Sequence, residues 1–185
     1  MPSLHELGLK YGTDKATAHQ YCDFYEKNLP GRDFKGRLLE IGIKDGASLK
    51  MWQEYYPHAD IHGIDLIAAR VKGCTTHVMD QCDIVAMHNN LPYFDIIIDD
   101  GSHMTLHQQI SFDFLFENKL KNNGLYVMED LHTSFHRSYV NSMYTTDDHL
   151  KTLFNEKHRR SWCRVPDFSD SYTMIIAKNK FPDEL

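Results

Sequence analysis

Three successive β-branched residues, Ile96, Ile97 and Ile98, run directly into Asp99, Asp100, Gly101, Ser102 and His103, and this stretch restricts the fold more than any other. Apolar side chains on successive strand positions point to opposite faces, so both faces must be covered, as inside a parallel sheet with helices on either side. Ligands in such sheets sit at the carboxyl ends of the strands, where Asp99 and Asp100 stand. Two adjacent carboxylates are costly to keep ionised together without a cation or hydrogen-bond donors. A lone Asp-Asp would more simply cap the helix that begins near Ser102. Here the pattern must also accommodate His103 and a second acidic pair, Glu129 and Asp130, downstream.

The chain has 185 residues, enough for one domain with a real core. A net charge of −6, from 26 acids against 20 Lys and Arg, argues against a constitutive nucleic-acid binder, which carries a basic face. The basic cluster Lys157, His158, Arg159 and Arg160, followed by Arg164, reads as a solvated helix face. Cys22, Cys74, Cys82 and Cys163 stand apart without a Cys-x-x-Cys pair, so reduced thiols are expected rather than a disulfide framework or a zinc site. The first residues lack a basic region followed by an apolar run, and no window approaches a membrane span. A cytoplasmic location is the expectation.

Taken in order, Thr13 or Asp14 is expected to cap a helix carrying Tyr21, Phe24 and Tyr25 on one face, ended by Pro30 and Gly31. Arg37 to Ile43 reads as a buried strand, with a glycine turn from Gly42 through Gly46 to Ser48 and a helix bearing Leu49, Trp52 and Tyr56. Such a unit places backbone amides near a ligand. It has neither the Gly-x-Gly-x-x-Gly of a dinucleotide fold nor the Gly-Lys-Ser or Gly-Lys-Thr of a phosphate loop. Glu40 stands two residues before Gly42.

The second strand, 59–66, ends in Asp65, and an acid roughly 20 residues past the glycine turn can accept from both hydroxyls of a ribose. The third, 75–79, leads to Asp80 and Gln81, where an adenine amine can be read. After the Phe94–Ile98 strand, a helix is expected from Thr105 to Leu120, with Ile110, Phe114 and Leu115 facing the sheet and Lys121 to Gly124 as its stop. Leu125 to Met128 is the fifth strand and delivers Glu129 and Asp130 to the same edge as Asp99 and Asp100. Two acidic pairs on adjacent strand ends form the hard-oxygen environment that magnesium, manganese or calcium prefers. Leu150 to Arg160 reads as a helix covering the site, and strands 162–165 and 172–177, joined by 166–170, as a closing antiparallel hairpin. The expected architecture is α/β, a mostly parallel sheet with a C-terminal antiparallel hairpin and helices on both faces. One domain spans 1–185, with 1–36 as an N-terminal helical cap and 131–161 as a substrate-covering segment.

Leu38-Leu39-Glu40-Ile41-Gly42, Gly46-Ala47-Ser48-Leu49, Ile64-Asp65, Asp80-Gln81 and the five-strand alternation resemble a class I S-adenosylmethionine-dependent methyltransferase with a Rossmann-like fold. The motifs Tyr11-Gly12-Thr13-Asp14-Lys15 with His19 and Tyr21, Asp99-Asp100-Gly101-Ser102-His103 with His107, and Glu129-Asp130-Leu131-His132-Thr133-Ser134 are similar to the metal-dependent sugar O-methyltransferases of macrolide biosynthesis, the mycinamicin and macrocin type. The resemblance runs from about Tyr11 to Asn179. Larger enzymes of this type carry an extra N-terminal domain, and this sequence is expected to represent the methyltransferase part without it.

The resemblance implies S-adenosylmethionine as cofactor. Glu40, Gly42, Gly46 and Ser48 would surround its methionine and ribose, Asp65 its ribose hydroxyls and Asp80 with Gln81 its adenine. Asp99 is placed with this cofactor group and is also expected to orient His103 or a metal-bound water. Asp100, Glu129 and Asp130 would bind a divalent metal, magnesium first, and His103 would be the general base. A metal lowers the pKa of an alcohol, and histidine is suited to take its proton. The expected partner is a small-molecule hydroxylated acceptor, a sugar or glycoside, with a homo-oligomer as an option; a membrane is not expected and nucleic acid is disfavoured. Alternatives are methylation of RNA or another small molecule, a non-catalytic adenosine-binding module, and a nicotinamide oxidoreductase, which the missing third glycine opposes.

Overall fold

A computed structural model describes residues 1–67, 69–153, 160–164 and 172–178. Its centre is a sheet of seven strands in the order β3-β2-β1-β4-β5-β7-β6: β1 (Arg37–Ile41), β2 (Asp60–Asp65), β3 (Thr75–Val78), β4 (Phe94–Asp99), β5 (Leu120–Met128), β6 (Arg160–Arg164) and β7 (Tyr172–Ala177). The first five are parallel, and β7 runs antiparallel to both β5 and β6. The mostly parallel sheet with an antiparallel C-terminal pair is therefore as expected; the connecting residues 166–170 and basic residues 157–159 lie outside the described residues.

Alternation along the strands divides the core in two. Leu38, Ile96, Ile98 and Val127 pack with Leu4, Leu7, Tyr25, Leu49 and Trp52 from helices α1 (Leu4–Tyr11), α3 (Cys22–Asn28) and α4 (Ala47–Tyr55). Leu39, Ile41, Ile97 and Tyr126 pack on the other face with Met87 and Leu91, Phe112, Leu115 and Phe116, and Leu150, from the region of α5 (Ile84–Asn90), α6 (Thr105–Asn118) and α7 (Thr146–Leu153). Three branched residues in a row fit because each layer of helices takes alternate ones. On α6 the buried sheet-facing set is Phe112, Leu115 and Phe116, with the expected Leu115 in it and the expected Phe114 partly buried against the same cluster; Ile110 is not part of that core, which is a correction.

The N-terminal segment differs from expectation. Ser3 Oγ accepts from Glu6 N at 3.1 Å while Glu6 Oε2 accepts from Ser3 N at 2.7 Å, a reciprocal cap that starts α1. The expected single helix is two, α2 (Asp14–Thr17) and α3, separated by a break in which Gln20 has φ 54°. In one continuous helix Lys15 and Tyr21 would project about 120° apart. The break lets both reach one acid cluster, Lys15 at Glu40, Asp100 and Glu129 and Tyr21 at Asp130. A second correction is the stop of α6, which ends at Asn118, while 120–124 already belong to β5. Lys178 Nζ donates to Glu117 O at 2.9 Å and Leu120 O at 3.0 Å, supplying the cap expected from glycine. α7 begins at Thr146, ahead of the expected Leu150; 154–159 lie outside the described residues. No described helix is long and apolar enough to cross a membrane.

Candidate active site

Parallel register aligns the strand ends: Ile41 lies beside Asp99, and Asp99 beside Met128. The residues that follow each strand therefore meet at one edge. Gly42 turns there with φ 81°, and a Cβ on it would lie 2.1 Å from the Asp100 carbonyl oxygen, so only glycine allows the two chains to approach this closely. Gly46, with φ 79°, precedes α4, and a Cβ there would strike Val71.

A cavity of about 290 Å³ opens at this edge, lined among others by Gly42, Asp65, Asp80, Gln81, Asp100 and His107. Its acids are held by short loop amides: Asp65 accepts from Lys44 N at 2.8 Å and Ile67 N at 3.3 Å, and Asp80 from Cys82 N at 2.8 Å. Gln81 accepts from Ser102 N at 2.8 Å and donates to Asp99 Oδ1 at 3.4 Å. A smaller hollow of about 60 Å³ adjoins it, lined by Gly12 to Asp14, Gly42 to Asp45, Ala47, Ser48 and Asp100. Lys44 Nζ donates to Asp14 Oδ2 at 2.9 Å, joining the N-terminal segment to the glycine turn.

Glu40 and Asp99 stand behind these walls. Glu40 is fully buried, accepting from Ser48 Oγ at 2.7 Å, and burial raises its carboxyl above the usual range despite Lys15 beside it. Successive strand side chains face opposite ways, so Asp99 turns from Asp100 toward α6, accepting from Ser111 Oγ at 2.6 Å and Tyr126 OH at 3.1 Å. The structure thus brings Gly42, Asp65, Asp80 and Gln81 to one cavity and Ser48 to its neighbour, while Glu40, Gly46 and Asp99 support from behind.

The acid cluster lies next to the cavity and shares Asp100 with it. One oxygen each of Asp100 and Asp130 and one ring nitrogen of His103 lie within 4.8 Å of one another. His103 Nε2 is 3.7 Å from Asp100 Oδ1 and 3.6 Å from Asp130 Oδ2. Both His103 (φ 58°) and Asp130 (φ 53°) adopt the left-handed conformation, a strain that concentrates at functional sites. At Asp130 this conformation turns the side chain back, so that two consecutive acids share one cluster. Tyr21 OH donates to Asp130 Oδ1 at 2.8 Å.

Lys15, to which sequence reasoning gave no role, is the centre of the cluster. Fully buried, its Nζ lies 2.6 Å from Asp100 Oδ2, 2.9 Å from Glu129 Oε1 and 3.1 Å from Glu40 Oε1. Burial opposes its charge, but the three carboxylates outweigh burial and hold the ammonium well above its usual pKa. One ammonium does not balance them: burial and the neighbouring Asp100 push Glu129 well above the usual carboxylate range against the pull of Lys15. Adjacent acids signal the need for a cation, but nothing local to Lys15 marks it as the source.

A divalent ion fits these residues. The donors are hard oxygens with one imidazole, the carboxylates are under-compensated, and the buried Glu129 Oε1 makes no well-aligned hydrogen bond. Asp100 and Asp130 open toward the same gap as His103, whereas Glu129 is turned to Lys15.

No protein-family model matches the chain. Over 154 residues it is 36% identical to L-olivosyl-oleandolide 3-O-methyltransferase of Streptomyces antibioticus, covering 75% of this chain and 39% of that protein. Over 180 residues it is 33% identical to 8-demethyl-8-alpha-L-rhamnosyl tetracenomycin-C 2'-O-methyltransferase of Streptomyces olivaceus, covering 88% and 47%. The chain thus spans less than half the length of these relatives. A solved structure of MycE methyltransferase from the mycinamycin biosynthetic pathway, in complex with Mg, SAH and mycinamycin VI, matches with TM-score 0.80 and 25% identity, covering 100% of this chain and 57% of that one. By sequence and by fold, this chain is a member of the class I S-adenosylmethionine-dependent methyltransferases and resembles the macrolide and sugar O-methyltransferases of the mycinamicin and macrocin type.

Proposed function

We propose that the chain transfers a methyl group from S-adenosylmethionine to a hydroxyl of a sugar or glycosylated natural product, assisted by a divalent ion, magnesium first. The observation that carries this reading is the junction of a nucleoside-sized cavity with an acid cluster through Asp100. The relatives' names add support, since they describe O-methyltransferases of olivosyl and rhamnosyl compounds.

S-adenosylmethionine, when bound, supplies a methyl group on a sulfonium that is already a good leaving group. Toward it, Asp65 accepts from the ribose hydroxyls, Asp80 and Gln81 read the adenine, and Gly42, Gly46 and Ser48 shape the methionine end, with Glu40 and Asp99 fixing Ser48 and Gln81 from behind. Asp100, Glu129 and Asp130 would hold the ion, which lowers the pKa of a nearby alcohol. His103 takes the acceptor's proton at Nε2, the nitrogen that faces Asp100 and Asp130. Residues 1–185 act as one domain in this reading, with 1–36 as a cap that delivers Lys15 and Tyr21. The segment 131–161 covers the acceptor. Exposed Phe135, Val140 and Met143 offer apolar surface there, and Thr133 Oγ1 donates to His103 O at 3.1 Å.

The cofactor assignment has a direct test. Asp65→Ala is expected to weaken S-adenosylhomocysteine binding by about 1.5–3 kcal/mol per lost hydrogen bond to the carboxylate, with the fold intact by circular dichroism. Calorimetry showing parental affinity would remove Asp65 from the ribose site.

A further inference from the structure

The acid cluster carries its own cation. An ammonium has three protons to donate, and those of Lys15 are surrounded by Asp100 Oδ2, both oxygens of Glu129 and Glu40 Oε1. Asp100 Oδ1 faces the other way, toward His103 Nε2, and His19 Nδ1 and His103 Nε2 each stand 3.6 Å from an oxygen of Asp130. The cluster therefore has an inner end closed by a lysine and an outer end open to a divalent ion, with Asp100 touching both.

We propose that Lys15 is a positioning residue acting as a fixed internal cation: it holds Asp100 and Glu129 in place before an ion arrives and restrains how tightly a divalent ion binds. This inference rests on the divalent-ion reading above. Coulomb's law sets its sign. An ion drawn to Asp100 approaches an ammonium already 2.6 Å from the same carboxylate, and like charges a few ångströms apart in a buried site repel strongly. Deleting the ammonium removes that repulsion and leaves a more negative cluster, so ion binding tightens. A lysine with a purely structural role has the opposite signature, because its loss disorders the ligands and weakens ion binding.

The test is Mn²⁺ binding, followed by the paramagnetic resonance of the free ion, in the parent, Lys15→Arg, Lys15→Met, Glu129→Gln and the double variant Lys15→Met/Glu129→Gln, each checked for folding by circular dichroism. Lys15→Met is expected to bind Mn²⁺ at least about tenfold more tightly than the parent, and the double variant at least about tenfold more tightly than Glu129→Gln. Lys15→Arg keeps the charge and should stay close to the parent. Should Lys15→Met alone fail to fold, the Glu129→Gln pair decides, because the double variant loses one charge of each sign. Unchanged or weaker binding on removal of Lys15 in the deciding pair would overturn the inference and leave the divalent-ion reading standing. No Mn²⁺ binding by the parent or by any variant would overturn both.

Discussion

His103→Ala is expected to turn over about 10²–10⁴-fold more slowly than the parent, the usual contribution of a positioned general base, while cofactor and Mn²⁺ affinities stay essentially unchanged. The geometry behind this is specific. His103 Nε2 stands 3.6–3.7 Å from one oxygen each of Asp130 and Asp100, too far to be spent on a hydrogen bond to either. The three atoms therefore surround a gap in which an acceptor hydroxyl can reach the nitrogen. The left-handed backbone at His103, anchored through its carbonyl by Thr133, aims the ring there. His103→Gln can hydrogen-bond but is no comparable base, so it should be nearly as slow. The same arrangement makes His103 a candidate ion ligand, and the two roles separate cleanly: a ligand's loss would lower Mn²⁺ affinity along with turnover. Near-parental turnover in both variants, with chemistry limiting the rate, would remove His103 from the mechanism and direct attention to His132 or Asp99.

Lys15→Met should destabilise the fold by about 3–5 kcal/mol in the presence of a chelator, the cost of leaving buried charges without their partner. The ammonium is wholly inaccessible and touches three carboxylates contributed by β1 and by the ends of β4 and β5, so its loss leaves them without their cation. Adding Glu129→Gln removes one of the uncompensated charges and should recover part of the loss, because coupled neighbours do not behave additively. Equilibrium denaturation of parent, single and double variants measures both effects. A loss below about 1 kcal/mol, the range of an exposed ion pair, would show that Lys15 is not the counter-ion the buried acids depend on.

Local pattern made the sheet legible. The β-branched run of β4, the acids ending β2, β4 and β5, and the glycine turn after β1 all depend on near neighbours, and Gly42, Asp65, Asp80 and Gln81 line one cavity at that edge. Lys15 was not legible as a site residue because its partners Asp100 and Glu129 lie 85 and 114 positions away. The break between α2 and α3 follows from the same long-range demand. The stop of α6 was misread because Lys178 caps it from 61 positions away. Two misses had signals that were present. Ser3 and Glu6 have the spacing of a capping box for α1. Strand alternation already forbids Asp99 and Asp100 from facing one ligand unless the backbone turns between them.

The most direct test is transfer of a labelled methyl group from S-adenosylmethionine to a panel of hydroxylated glycosides, run with magnesium, with excess chelator, and with magnesium restored. The account predicts a labelled sugar methyl ether with magnesium, its loss in chelator, and its return when the ion is added back. Full activity in excess chelator would contradict the role given to Asp100, Glu129 and Asp130; no transfer to any glycoside by protein that binds the cofactor would contradict the sugar hydroxyl as acceptor.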